Sequence, residues 1–277
     1  MKKFRKIIFT FLLFSMCFGD MQNWGSHSAN ILPEKRFEFG LFQPFRYGYS
    51  KTLEYSTYPL WFFVMPNLTL KKSHNILSGY DVASRWSLYY PRPILNMVSR
   101  KGIGGFIDPM LEIPPMLGIS ASMLFTKIIS GVGVTFNSGL DIGFSLEDLD
   151  DRVNIELPLL YHRLSVFHNK YGFHTGFALE KSITGKLSAI IDIDLSILPG
   201  MDTKKTNSGI TKLLGEYSFE HKALLIYEKS ETFRFLTGYK FVHGKYPFGT
   251  ESRILPFLFL VDTWVPIIEL QWGRSLK

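Results

Sequence analysis

Cysteine is nearly absent from this 277-residue chain; Cys17 is the only one. An intrachain disulfide is therefore excluded. Long apolar runs are missing as well. After residue 19 there is no continuous apolar stretch of about 18 residues, the length a membrane-crossing helix needs. The nearest, residues 254–270, is broken by Pro256, Asp262, Pro266 and Glu269. The chain has no Gly-rich phosphate loop, no Gly-x-Ser-x-Gly nucleophile elbow and no acidic run with calcium-loop spacing, and no cofactor is expected. The run Glu147-Asp148-Leu149-Asp150-Asp151 reads as a solvated loop. His162, His168 and His174 recur every six residues. Neither a helical nor a strand period gathers them at one point, so they read as loop and interface histidines rather than metal ligands. No sequence repeat of fixed period is visible.

A strong charge imbalance is also missing once its source is located. The formal net charge is +7, from 31 basic and 24 acidic residues. Lys2, Lys3, Arg5 and Lys6 stand at the extreme N-terminus; without those four, 27 basic residues face 24 acidic ones, a net +3. That is too weak and too scattered for a nucleic-acid partner. The same four residues open a secretory layout: a basic start, an apolar run from Ile7 to Phe18, then Gly19 and Asp20. The expected division is a signal peptide over 1–19 and one domain over 20–277. Cys17 leaves a second reading open, cleavage before an acylated cysteine, although only Ser15 of the preceding residues suits it.

What the chain has in quantity is alternation. From Gly131 to Phe144, Val132, Val134, Phe136, Leu140, Ile142 and Phe144 share one parity. Gly131, Gly133, Thr135, Asn137, Gly139, Asp141 and Gly143 share the other. Successive strand side chains point to opposite faces, so this is a strand with one apolar and one small or polar face. Its fourteen residues exceed the usual globular strand of about 5–6. They match a strand that crosses a bilayer, apolar toward lipid and polar toward a lumen, for which about 9–11 residues suffice.

The same pattern recurs along the chain. Met116 to Ile128 alternates and meets the first strand through Ile129-Ser130-Gly131, a tight hairpin. Tyr171 to Glu180 and Leu187 to Leu198 form a second hairpin over residues 182–185. Tyr217 to Glu228 and Phe233 to Val242 form a third over residues 229–231. Val82 to Tyr90 is a further strand, followed by a short helix from Ile94 to Lys101. Near the N-terminus the expectation is a polar lead-in over 21–35, one weak strand from Phe37 to Phe45, a turn over 46–50 and a return from Leu53 to Tyr58. Asn67 to Lys72 is read as short strand and residues 204–208 as polar loop. Leu255 to Thr263 and Ile267 to Trp272 are expected as a closing pair.

These segments add up to an all-β chain, a transmembrane antiparallel β-barrel of roughly 10–12 strands. Aromatics make up 16% of residues, which suits the aromatic girdles of such barrels. Two features oppose this reading. Trp272 is followed by five more residues instead of ending the chain, and the count puts the long connections on the same side as the termini.

On the signal peptide and the hairpins at 116–144, 171–198 and 217–242, the chain resembles bacterial outer-membrane β-barrel proteins as a class. The resemblance implies location in the bacterial outer membrane, contact with its lipid, assembly by the barrel-assembly machinery and a monomer. It carries no substrate and no catalytic residue. The default expectation is a channel or transporter for small solutes rather than an enzyme. Two alternatives stay open: a lipid-modifying enzyme using the outward-facing His221, and a soluble periplasmic lipid-binding or adhesion β-protein.

The candidate functional residues are the charges on the inward parity. Asp141, Glu180, Asp192 and Asp194 come from three consecutive strands, Lys222, Arg234 and Lys240 from the next two, and Arg85 from an earlier one. Two arrangements are open: an acidic wall opposed to a basic one across a water-filled pore, or pairing of these charges inside a closed barrel.

Overall fold

Each stretch of sustained alternation is a strand in the computed structural model, which describes residues 27–276 apart from 41–42, 100–106, 151–152, 154–165, 199–203, 207–208, 212–215, 247–248 and 259–262. The expected signal peptide lies outside the described residues. The strands are β1 (Arg36–Gly40), β2 (Phe45–Ser50), β3 (Leu53–Thr57), β4 (Asn67–Ser73), β5 (Asp81–Tyr89), β6 (Met116–Ile129), β7 (Val132–Ser145), β8 (Tyr171–Thr184) and β9 (Leu187–Leu198). They continue as β10 (Lys204–Thr206), β11 (Gly209–Thr211), β12 (Glu216–Ser230), β13 (Phe233–Tyr246), β14 (Gly249–Leu255), β15 (Phe257–Leu258), β16 (Thr263–Trp264) and β17 (Ile267–Ser275). Three short helices lie between them: α1 (Pro59–Phe62), α2 (Arg92–Ser99) and α3 (Val166–Asn169).

The protein is all-β, and its strands close into a twelve-stranded antiparallel barrel. Strands β1 to β9 pair with their sequence neighbours, β9 pairs with β12, β12 with β13, β13 with β17, and β17 with β1. Each strand of this circuit has a paired neighbour on both sides. One stave is split. β13 pairs with β17 from Phe233↔Trp272 to Gly238↔Ile267, then with β14 from Lys240↔Leu255 to Tyr246↔Gly249. β14 and β17 are thus two halves of one stave, and the β15–β16 pair, with Phe257 opposite Trp264, falls between them in sequence. This corrects the expected closing pair: Leu255 to Thr263 is not a strand opposite Ile267 to Trp272. β14 ends at Leu255, before Pro256, which has no N–H for the ladder.

The N-terminal strands are also corrected. Phe37 to Phe45 is not one strand, and residues 46–50 are not a turn. Glu38 faces Arg46 and Phe37 faces Tyr47 across β1 and β2, and the reversal to β3 comes at Lys51-Thr52. The additional strand settles the sidedness. The start of β1 and the end of β17 lie together, Arg36 opposite Ser275, at the end that carries the tight turns 51–52, 130–131, 185–186 and 231–232. The connections from β3 to β4, β5 to β6, β7 to β8 and β9 to β12 leave and return at the other end. Strands also run further than the alternation suggested: β8 continues to Thr184, and β13 to Tyr246. Of residues 204–208, read as polar loop, Lys204–Thr206 is a strand that pairs antiparallel with Gly209–Thr211.

The wall is uneven, with β6 to β9, β12 and β13 of 12–15 residues and β1 to β4 of 5–7. Inside, the barrel is filled. At the loop end Met65, Ile94, Leu95, Ile113, Val166 and Phe167 from the connections pack on the inward ends of β5, β6 and β9, at Tyr89, Met116 and Leu198. This apolar cap buries the faces of α2 and α3. Toward the tight-turn end Ile190, Leu224, Ile226 and Leu236 form an apolar layer on one side. Opposite it the chain before β1 enters the lumen, where Ala29 packs on Ala83 and Leu124.

Candidate functional site: a plugged polar lumen

The segment from His27 to Leu32, expected as part of a lead-in outside the barrel, lies within it, and Pro33, Glu34 and Lys35 are exposed. Its backbone is held by lumen side chains. The Ala29 N–H donates to Thr126 Oγ1 (2.7 Å), which itself bonds to Thr135 Oγ1 (2.8 Å). The Leu32 N–H donates to Glu54 (2.9 Å), and Lys71 Nζ donates to the Ser28 carbonyl (3.3 Å). Leu32 and Ala29 are each 1% exposed. Gly48 on β2 is required here by close approach, because a Cβ at that position would overlap the carbonyls of Leu32 and Pro33.

Beside this plug four inward charges form a chain across the low wall. Arg46 donates from Nε and Nη2 to both carboxylate oxygens of Glu54 (2.8 Å each), and from Nη1 to Glu38 (3.1 Å). Lys71 lies 3.7 Å from Glu54. All four are buried. A bidentate guanidinium between two carboxylates is among the stronger side-chain arrangements, and it meets the desolvation cost of burying them. Sequence reasoning missed this cluster. Its signal was Glu38, Arg46 and Glu54 at intervals of eight, the length of strand, turn and strand here, but Arg46 had been given to a turn.

Of the inward charges singled out by parity, several meet on adjacent strands. Lys222 Nζ is 2.7 Å from Asp192, and Lys240 Nζ is 2.8 Å from Glu220. His174 Nδ1 bonds to Asp141 (2.9 Å), Asn137 donates to Asp194 (3.3 Å), Arg85 to Ser122 (3.2 Å) and Arg234 to Gln271 (2.6 Å). Glu180, on the inward parity of β8, lies opposite Gly133 and Ile190 of the flanking strands. Lys222 and Lys240 therefore each pair with an acidic residue of an adjacent strand, Asp192 and Glu220.

His27 joins the plug to this network. Lys222 Nζ donates to His27 Nε2 (3.3 Å), and Nδ1 lies 3.9 Å from Asp192. An imidazole that accepts from an ammonium is neutral. Its pKa is held well below the ordinary value, first by burial and then by the positive charges of Lys222, Arg85, Arg46 and Lys71. His27, Glu54, Lys71, Arg85, Asp141 and Asp194 are among the residues lining a cavity of about 170 Å³ between the plug and the apolar cap. Its size suits a few waters or one small solute and falls below the usual drug-sized pocket of about 300–1,000 Å³.

No protein-family model matches the chain, and no curated protein matches it in sequence. Of the three histidines spaced by six, His168 bonds to the Val153 carbonyl and His174 to Asp141, and His162 lies outside the described residues. Among the described residues no three His, Cys, Asp or Glu side chains gather as a metal-ligand set. His221 faces outward with both nitrogens engaged, Nδ1 by the Asp192 carbonyl (2.9 Å) and Nε2 by the Tyr239 hydroxyl (3.0 Å).

Proposed function

We propose that the chain is a bacterial outer-membrane barrel whose polar lumen is a route for small solutes, held closed by its own N-terminal segment. The observation that carries this is the inversion of polarity across the wall, with the plug inside it. Outward side chains are large and apolar: Trp86, Phe136, Phe173, Ile193, Leu225 and Ile268 are 43–56% exposed. Inward ones include the ion pairs Arg46–Glu54, Lys222–Asp192 and Lys240–Glu220. An apolar band of that extent needs covering in water and needs none in lipid. The long strands exceed the about 9–11 residues that cross a bilayer obliquely. Tight turns on the side of the termini and long connections opposite are the usual arrangement of bacterial barrels, which would put the plug on the periplasmic side and the apolar cap outside.

The decisive experiment has two readouts. Outer-membrane fractions washed with carbonate are run on gels with and without boiling; the barrel stays in the membrane fraction and migrates differently when unheated. Purified protein is then placed in planar bilayers. The full chain is expected to conduct poorly, and a variant lacking residues 20–35 to conduct steadily. A soluble protein without a heat-dependent shift would reject the membrane reading. A folded, inserted truncation with no conductance would reject the solute route.

A further inference from the structure

Near the loop end, three outward side chains on adjacent strands form a hydrogen-bonded row. Ser252 on β14 and His243 on β13 stand opposite each other in register. Ser252 Oγ lies 2.6 Å from His243 Nδ1. The other ring nitrogen, Nε2, lies 3.3 Å from the hydroxyl of Tyr217 on β12. A serine hydroxyl within reach of an imidazole whose second nitrogen is held by a third group is the arrangement that activates a nucleophile. With Nε2–H donating to Tyr217, Nδ1 is the acceptor for the serine proton. His221, two residues from Phe219 on the same outward face, shows the contrast: its partners are a backbone carbonyl and a phenol.

The surroundings indicate the substrate class. Along β13 the outward side chains run Lys245, His243, Phe241 and Tyr239 away from the loop end, in steps of about 7 Å. Phe241 is flanked by Ile254 on β14 and by Phe219 on β12, with ring centroids of the two phenylalanines 6.4 Å apart. A cation, then a serine–histidine pair, then an apolar ribbon follows the order of phosphate, acyl ester and acyl chain in a glycerophospholipid lying along the wall.

We propose that Ser252, His243 and Tyr217 form an ester-hydrolysing site on the outer wall that acts on acyl esters of membrane lipids. This rests on the reading of the barrel as lipid-embedded. Ser252 Oγ bonds to the acyl carbonyl carbon while its proton passes to His243 Nδ1. The adduct then breaks its bond to the glycerol oxygen, which leaves with that proton. Water attacks the acyl-serine, His243 takes the water's proton and returns it to Ser252, and the fatty acid departs. Tyr217 is a positioning residue that fixes the tautomer.

The test uses the full chain with three assays: fatty-acid release from phosphatidylcholine vesicles, hydrolysis of p-nitrophenyl butyrate in detergent, and labelling by a fluorophosphonate mapped to the residue. Ser252→Ala and His243→Ala are each expected to lower both hydrolyses by at least about 100-fold and to abolish labelling at position 252, with the heat-dependent gel shift kept. Tyr217→Phe is expected to lower kcat with KM unchanged. A folded wild-type barrel that hydrolyses neither ester and is unlabelled at Ser252, or a Ser252→Ala barrel that retains hydrolysis, would overturn the site. Butyrate hydrolysis with labelling by a protein that does not enter vesicles would support the site and overturn both the lipid substrate and the membrane reading.

Discussion

Asp192 and Lys222 meet at 2.7 Å on neighbouring strands, both turned into the lumen and both buried. The pair is the floor on which His27 of the plug rests. Its charges have left water, so the cost of removing one partner is the cost of stranding the other. Asp192→Asn is expected to destabilise the barrel by about 3–5 kcal/mol. Asp192→Asn combined with Lys222→Met should cost less than the sum of the single changes. Guanidinium unfolding of the vesicle-inserted protein, followed by tryptophan fluorescence, gives the cycle; additive effects would show that the pair does not act as a unit.

Gly48 offers a way to displace the plug without shortening the chain. A side chain there meets the backbone carbonyls of Leu32 and Pro33, which cannot rotate aside as a flexible side chain would. Gly48→Val is expected to push the segment out and raise conductance toward that of the variant lacking residues 20–35. A Cys pair replacing Ala29 and Ala83, which pack in one cluster, should do the reverse: closed when oxidised, openable when reduced. Equal conductance of Gly48→Val and wild type in planar bilayers would show that the plug does not set the resistance.

The tall wall was legible in the sequence, and so were β3 and β4, but β1 and β2 were not, for a physical reason. β6 to β9, β12 and β13 carry enough residues for a period of two to stand out, and with it the inward placement of Asp141, Asp192, Asp194, Lys222 and Lys240. β1 to β4 have only a few residues each. The outward faces of β1 to β3 are aromatic, Phe37, Phe45, Tyr47 and Tyr55, and the inward charges of β1 and β2 resemble turn residues until the partner strand is known. The plug could not be read locally at all. Its polar residues are those of a loop, and what fixes it inside is contact with Glu54, Thr126 and Lys71, all distant in sequence. The split stave was hidden for a similar reason, since only the register with β13 shows that β14 and β17 are collinear. The serine–histidine pair arises from the same long-range register.

Acid should release the plug through His27. The docked imidazole is held below its ordinary pKa by burial and by Lys222, Arg85, Arg46 and Lys71, with Asp192 the acidic group facing it. Once released into water, the same ring titrates near 6.5. Below about pH 6.5 the released form therefore binds a proton that the docked form resists, so docking is strongest above that value and weakens as pH falls through it. Maleimide labelling of a Ser28→Cys variant between pH 8 and pH 5 is expected to accelerate on acidification. His27→Gln should flatten the profile, and an unchanged profile in that variant would assign the acid response to another group.

Two glycines of the stretch from Gly131 to Phe144 should respond to substitution in different ways. Ser130 and Gly131 both have positive φ, 51° and 75°, which is the two-residue reversal that matches strand twist. Nothing lies within 4 Å of a Cβ placed on Gly131. Gly131→Val therefore costs backbone strain alone, about 1–2 kcal/mol, and Gly131→Asn less. Gly139 lies in mid-strand on the lumen face, where a Cβ would overlap the Ala121 carbonyl and the His174 ring. Gly139→Ala is expected to drive His174 off Asp141 and to destabilise more than Gly131→Val, although alanine adds less bulk than valine. Unfolding midpoints of the two variants, with the imidazole signals of His174 as a local reporter, decide it. A larger loss at Gly131 would mean that the hairpin turn, and not the packed lumen, limits the stability of this wall.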